Sequence, residues 1–191
     1  MTLLIFGLLL FLGIHSISIF ALDKRNQLAA KSPLGWKAVY SVISIVGLIL
    51  IVQGYAAARL NPTFVYITPF WLRHLSALLM LPMFILFLAP YFPGKISRAT
   101  KHPQLIAVKL WAMSHLLVNG TAADLLLFGG FLAWAVVDRI SMKKRAARPV
   151  PGLPTSARND VIIIVLGLVF YAVFAVYLHQ VLIGVAPFAV S

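Results

Sequence analysis

The chain has 191 residues, of which 62% are hydrophobic and only 10% charged. A soluble domain of that length exposes far more charge, so the composition excludes one and points to a membrane protein with the lipid bilayer as its surroundings. The formal net charge is +12, but the basic residues sit in short stretches between apolar runs, where they set topology and meet anionic headgroups rather than nucleic acid.

Cysteine is absent, which rules out disulfides, thiolate catalysis, Cys-ligated zinc, iron–sulfur clusters and c-type haem attachment. Glutamate is absent too, and the acids are Asp23, Asp124, Asp138 and Asp160. Chemistry that needs a Glu base is therefore excluded.

Residues 2–22 form the first predicted span. It lacks a basic leading region and a small-residue cleavage site, so it reads as a retained helix and not a signal peptide. Residues 38–58 form the second, and residues 71–91 the third, with Pro82 as a predicted kink. The stretch from Pro103 to Ile140 would be about 55 Å long as one helix, too long for a single crossing. Asn119-Gly120 near its middle is a turn signal. The last span, 160–184, follows a Pro-rich basic linker from Arg148 to Pro154.

Charge decides how often the middle stretch crosses. With a turn at Asn119-Gly120, fourteen basic residues fall on one side of the membrane and two, Arg59 and Arg73, on the other. With a single crossing they divide eight against eight. The positive-inside rule selects the turn. The expectation is an all-α, polytopic helical bundle with a single domain over 1–191 and about six segments (2–22, 38–58, 71–91, 103–118, 121–140, 160–184), including a helical hairpin around Asn119-Gly120. Both termini then lie on the non-cytoplasmic side. The sequence does not specify an oligomeric state.

His15 and His115 lie inside apolar runs. An ionisable side chain there costs a few kcal/mol and usually faces a partner inside the protein. Counted from the flanking charges, both sit about 10 Å inside the cytoplasmic boundary. Two readings stay open on the residues alone: histidines hydrogen-bonded to a serine or carbonyl, with Ser16 and Ser114 beside them, or imidazoles from two helices holding a haem iron. His74 and His102 read as interfacial, and His179 as a packing or interfacial residue near the outer end of the last span. Asp124 reads as a helix-start acid, with a carboxylate that orients a histidine as the alternative. Trp36, Trp71, Trp111 and Trp134 fit an aromatic belt, and Trp111 could also wall a ligand pocket. Gly129-Gly130 has no Rossmann context and reads as close helix packing.

Several stretches in order, Gly13-Ile-His-Ser16, Gly35-Trp-Lys-Ala-Val-Tyr-Ser41, Gly47 to Tyr55, Arg73-His-Leu75, Lys101-His-Pro103, Lys109 to Gly120 and Leu127 to Trp134, resemble the NnrU family of bacterial membrane proteins. The resemblance covers the chain to about Arg145 and implies a bacterial inner-membrane protein linked to nitrite and nitric oxide reductase expression in denitrification. The family is similar to the 15-cis-ζ-carotene isomerase of plants and cyanobacteria, a haem b membrane enzyme. That similarity implies haem b with His15 and His115 as axial iron ligands, and Lys101-His102-Pro103 in place of an R-H-P motif. Ser16, Ser114, Trp111, Asp124, His74 and His102 are then candidates for supporting the ligands. The isomerase cysteine aligns with Ala112 here, so a cysteine-for-histidine ligand exchange is impossible. The R-H-P motif also occurs in membrane isoprenylcysteine methyltransferases and sterol reductases, which carry further acidic residues that this tail lacks.

Three functions follow as expectations. The first is a haem b protein that senses or handles nitrogen oxides such as nitric oxide, or transfers electrons. The second is a haem-dependent polyene cis–trans isomerase. The third is a cofactor-free accessory or transport-like bundle.

Overall fold

The computed structural model describes residues 1–146, 148 and 150–188. Pro149 of the expected linker and residues 189–191 of the expected domain lie outside the described residues. The described residues are helical throughout their ordered elements, with one antiparallel bridge between Phe64 and Thr121.

In chain order the helices are α1 (Thr2–Phe20), α2 (Leu22–Lys31), α3 (Pro33–Leu60), α4 (Leu72–Leu88), α5 (Lys95–Thr100), α6 (Pro103–Leu116), α7 (Ala122–Asp124), α8 (Gly130–Ser141), α9 (Ala157–Val173) and α10 (His179–Ile183). Two π-helical segments, Leu125–Gly129 and Phe174–Leu178, join α7 to α8 and α9 to α10. Thr2–Phe20, Pro33–Leu60 and Ala157–Ile183 are long and apolar enough to cross a membrane, and Leu72–Leu88 is a shorter apolar helix. At 1.5 Å per residue the 19 residues of α1 span about 28 Å, close to the hydrocarbon thickness. Large apolar side chains such as Leu9, Val42, Val161 and Val176 stay exposed along these helices, which suits lipid and not water.

The helix boundaries follow the hydropathy pattern closely. The largest departure is at the second span, which starts at Pro33, not residue 38, and is preceded by the separate polar helix α2. Ser32 caps α3 by accepting the Gly35 N–H at 3.2 Å, and Pro33 occupies the first turn, where a missing N–H costs nothing. The Arg25 guanidinium sits 5.9 Å from the Trp36 ring and ties α2 to the start of α3. α4 runs on through Pro82.

The chain divides into two compact units. Unit 1 comprises Met1–Tyr66 and Gly120–Lys144, and unit 2 comprises Ile67–Asn119 and Arg145–Ser191. The helix break falls where Asn119-Gly120 placed it, between α6 and α7, and each arm joins its own unit: α6 packs on α4, α8 on α1.

Unit 1 is organised by the α1–α3 contact. Leu4, Gly7, Leu8 and Ile14 of α1 are buried, as are Gly47, Ile51 and Gly54 of α3, at the three- and four-residue spacing of helix faces. The approach is close enough that a Cβ on Gly54 would overlap the backbone of Leu4, and one on Gly7 would stand 2.6 Å from the Ile51 nitrogen. Small residues of this kind let membrane helices pack backbone to backbone. Gly129, expected to serve close packing, has nothing within 4 Å of its Cβ position and ends a π segment instead.

In unit 2, α4 packs against both α6 and α9. The Ser76 hydroxyl donates to the Ser114 carbonyl at 2.8 Å, and the Tyr171 hydroxyl donates to the Ala77 carbonyl at 3.1 Å. Asp160 at the start of α9 accepts the backbone N–H groups of Lys95 and Ile96 at 2.8 and 3.0 Å, supplying the first turn of α5 with its missing acceptors. Buried Asn159 donates to the carbonyls of Pro93 and Pro154, both at 2.9 Å.

Candidate functional site

His15 belongs to the packing stripe of α1, four residues after Phe11 and one after buried Ile14. Its Nδ1 lies 2.6 Å from the Phe11 carbonyl oxygen. A carbonyl oxygen only accepts, so Nδ1 carries the proton and the neutral ring keeps its lone pair on Nε2. Aromatic rings surround the imidazole. Phe11 stacks on it with ring centres 4.2 Å apart, Tyr40 of α3 stands at 5.0 Å, and Trp134 of α8 meets it edge-on at 6.0 Å. The Trp134 Nε1–H is buried and has no hydrogen-bond partner among the described residues.

His115 lies in the last turn of α6, in unit 2. Its Nδ1 lies 2.8 Å from the Trp111 carbonyl oxygen, again four residues back, so this ring too carries its lone pair on Nε2. The Trp111 ring is 5.4 Å away. Ser114 is fully buried, and its Oγ has no hydrogen-bond partner among the described residues. The His115 ring also faces His179 of α10, with ring centres 6.4 Å apart.

Asp124 is 4% exposed and fully engaged. It closes a capping box with Thr121: Oδ2 accepts the Thr121 N–H at 2.9 Å and its hydroxyl at 2.6 Å, while the Asp124 N–H donates to Thr121 Oγ1. Oδ1 accepts the Tyr55 hydroxyl at 2.5 Å, which links the start of α7 to α3. The carboxylate thus has the helix-start role read from its position and orients a tyrosine. Gly120 supports this end through its backbone. Its carbonyl accepts the N–H groups of Val65 and Tyr66, and a Cβ at this position would overlap the Tyr66 carbonyl. The Tyr66 phenol, in the loop after α3, is pushed above its ordinary value first by burial and then by the Asp124 carboxylate.

Of the other sequence candidates, Ser16 is half-buried beside His15, and His74 lies edge-on to Phe70 at 6.2 Å in the first turn of α4. His102 is the N-cap residue of α6, ahead of Pro103. The preceding Lys101 has φ 58°, and the His102 N–H reaches the Thr100 carbonyl across it at 2.6 Å, so Thr100-Lys101-His102 forms a strained γ-turn. The structure therefore places Trp111, Ser114 and His115 together on α6, with His179 beside them. His179 carried no signal for this role in the sequence, because its facing depends on the π segment just before it.

The NnrU protein family model matches residues 3–187. The chain belongs to the NnrU family. No curated protein and no solved structure compared with it matches.

Proposed function

We propose that this NnrU protein binds haem b in the bacterial inner membrane, with both termini on the non-cytoplasmic side, and serves nitrogen-oxide metabolism or membrane redox chemistry. The observation that carries the reading is the preparation of the histidines. Both His15 and His115 lie on apolar helices with Nδ1–H given to a carbonyl four residues back. Metal-binding imidazoles are commonly held in this way, because the bond fixes the tautomer and leaves Nε2 for the metal. The donor set fits haem, which takes imidazole axial ligands and needs no thiolate. When bound, haem would supply one-electron or diatomic-gas chemistry, and the protein residues would ligate it, orient it and exclude water.

His115 is the ligand that this reading tests first. The test is the absorption spectrum of the detergent-purified protein after haem supplementation. A Soret band that His115→Ala removes or shifts is the expected result. Absence of the band from the wild-type protein overturns the reading.

A further inference from the structure

Between Arg59 and Arg73 the chain carries no charge, although most of that stretch lies outside the helices: α3 ends at Leu60 and α4 begins at Leu72. The connection between α1 and α3 is of the opposite kind, with Asp23, Lys24, Arg25 and Lys31 in α2. Where water would call for polar residues, the α3–α4 connection has Phe64, Val65, Ile67, Phe70 and Trp71, all of them exposed and Ile67 to 89%. Single exposed apolar side chains need no explanation, but a run of them marks a surface that meets something apolar.

In unit 1 the backbone of residues 63–66 is pinned. The Val65 and Tyr66 N–H groups donate to the Gly120 carbonyl at 2.8 and 3.1 Å, the Ala122 N–H donates to the Thr63 carbonyl at 2.8 Å, and Phe64 bridges to Thr121. Phe64 nevertheless stays 67% exposed. In unit 2 the carbonyls of Pro69, Phe70 and Trp71 accept the N–H groups of Leu72, Arg73 and His74 at 3.1, 3.2 and 3.1 Å. Pro62 and Pro69 have no N–H to desolvate. In each unit the backbone thus keeps part of its hydrogen bonding to itself while large apolar side chains are left uncovered.

Depth and charge select the occupant. The hydrocarbon core excludes lipid-exposed irregular backbone, whereas at the headgroup–acyl boundary water still reaches the remaining backbone groups. Aromatic rings concentrate at that boundary, and arginines at its edge reach toward phosphates. Arg59 and Arg73 bracket the segment, and the Arg73 guanidinium lies 4.0 Å from the Phe70 ring centre. The apolar surface also continues along the chain into exposed side chains of the flanking helices, Leu60 of α3 in unit 1, and Leu75 and Leu78 of α4 in unit 2. A charged protein partner would find nothing in the segment to pair with.

We propose that the α3–α4 connection is a lipid anchor, with Phe64 and Val65 of unit 1, and Ile67, Phe70 and Trp71 of unit 2, seated in the headgroup–acyl boundary of the bilayer. The proposal does not depend on haem. It is tested on full-length protein in phosphatidylcholine vesicles by spin-label accessibility, and the absence of native cysteine leaves each label on a single site. The labelled variants are Val65→Cys and Ile67→Cys, with Lys24→Cys in exposed α2 and Val46→Cys at the exposed middle of α3 as references. At Val65→Cys and Ile67→Cys, collision with a water-soluble nickel chelate is expected to be at least about threefold lower than at Lys24→Cys, and collision with oxygen intermediate between the two references. Nickel access equal to that of Lys24→Cys overturns the anchor by making the connection a water-exposed loop. Low access to nickel and oxygen together overturns it in favour of cover by protein, a second copy of the chain included. A second readout leaves both labelled positions native. Lipids brominated next to the headgroup are expected to quench tryptophan fluorescence, and the quenched share is expected to fall in Trp71→Phe. An unchanged quenched share overturns the anchor in unit 2.

Discussion

Unit 1 and unit 2 each hold a histidine by the same backbone device and surround it differently. His15 and His115 both donate Nδ1–H to the carbonyl four residues earlier in their helix. Around His15 the neighbours are Phe11, Tyr40 and Trp134, aromatic side chains drawn from α1, α3 and α8. Around His115 they include Trp111 and a second imidazole, His179. The backbone device fixes the tautomer in either place, and in unit 2 a second imidazole ring faces the first. A half-buried histidine is therefore read by what faces it as much as by how it is held.

The two units also differ in how they are joined internally, and this difference is open to mutation. Unit 1 depends on backbone approach between α1 and α3, so Gly54→Leu, which forces a side chain into the Leu4 backbone, is expected to cost about 3 kcal/mol. Gly13 lies on the same α1 helix with nothing within 4 Å of its Cβ position. Gly13→Ala is accordingly expected to stabilise by about 0.5 kcal/mol through helix propensity. Thermal unfolding in detergent, followed by circular dichroism, checks both. Equal effects of the two substitutions would break the account of unit 1 as a glycine seam.

Next in size is Asp124. Asp124→Ala removes the Thr121 capping box and leaves the Tyr55 hydroxyl without its acceptor. The expected loss is about 2–3 kcal/mol, the sum of a helix cap and a charge-assisted hydrogen bond. In a double-mutant cycle with Tyr55→Phe the losses should be strongly non-additive. Additive losses would mean that the bond linking α3 to α7 contributes nothing.

Much of this architecture was legible in the sequence, for identifiable reasons. Apolar run lengths gave the helix positions, because a span must cover about 30 Å of hydrocarbon. The helix break was visible in Asn119-Gly120, since Gly120 meets the Tyr66 backbone too closely for any side chain. Ser32-Pro33 is a cap-and-start signal for α3 that hydropathy alone missed, because Lys37 interrupts the apolar run one turn into the helix. His15 and His115 stood out because ionisable residues in apolar runs are rare. His179 did not stand out in the same way. Its approach to His115 depends on the π segment Phe174–Leu178 and on the left-handed turn at Gly184, and a π segment has no dependable signature in a uniformly apolar stretch.

A smaller effect is expected at the Lys-His-Pro segment in unit 2. Lys101 holds φ 58° at the centre of a γ-turn, a conformation that costs a side-chain-bearing residue about 1–2 kcal/mol. Lys101→Gly relieves that strain but makes the unfolded chain more flexible, so a net gain of about 1 kcal/mol is expected. No gain in thermal stability would show the turn to be unstrained.

The smallest expected effect probes whether unit 2 is held by side-chain hydrogen bonds as unit 1 is held by backbone approach. The Tyr171 hydroxyl of α9 donates to the Ala77 carbonyl of α4 at 3.1 Å. The neighbouring contact, Phe84 stacked with Phe170 at 6.1 Å, is apolar and unaffected by a change at Tyr171. Tyr171→Phe keeps the ring and removes only the hydrogen bond. Interhelical hydrogen bonds between membrane helices average about 0.6 kcal/mol, because the alternative states find partners too. The Ala77 carbonyl keeps its place in the α4 backbone, so the loss should not exceed that average by much. A loss above about 2 kcal/mol in detergent unfolding, near the cost of an orphaned buried polar group, would make unit 2 as dependent on one polar contact as unit 1 is on Asp124. A loss near 0.6 kcal/mol leaves apolar packing of α4 against α6 and α9 as the main support behind His115.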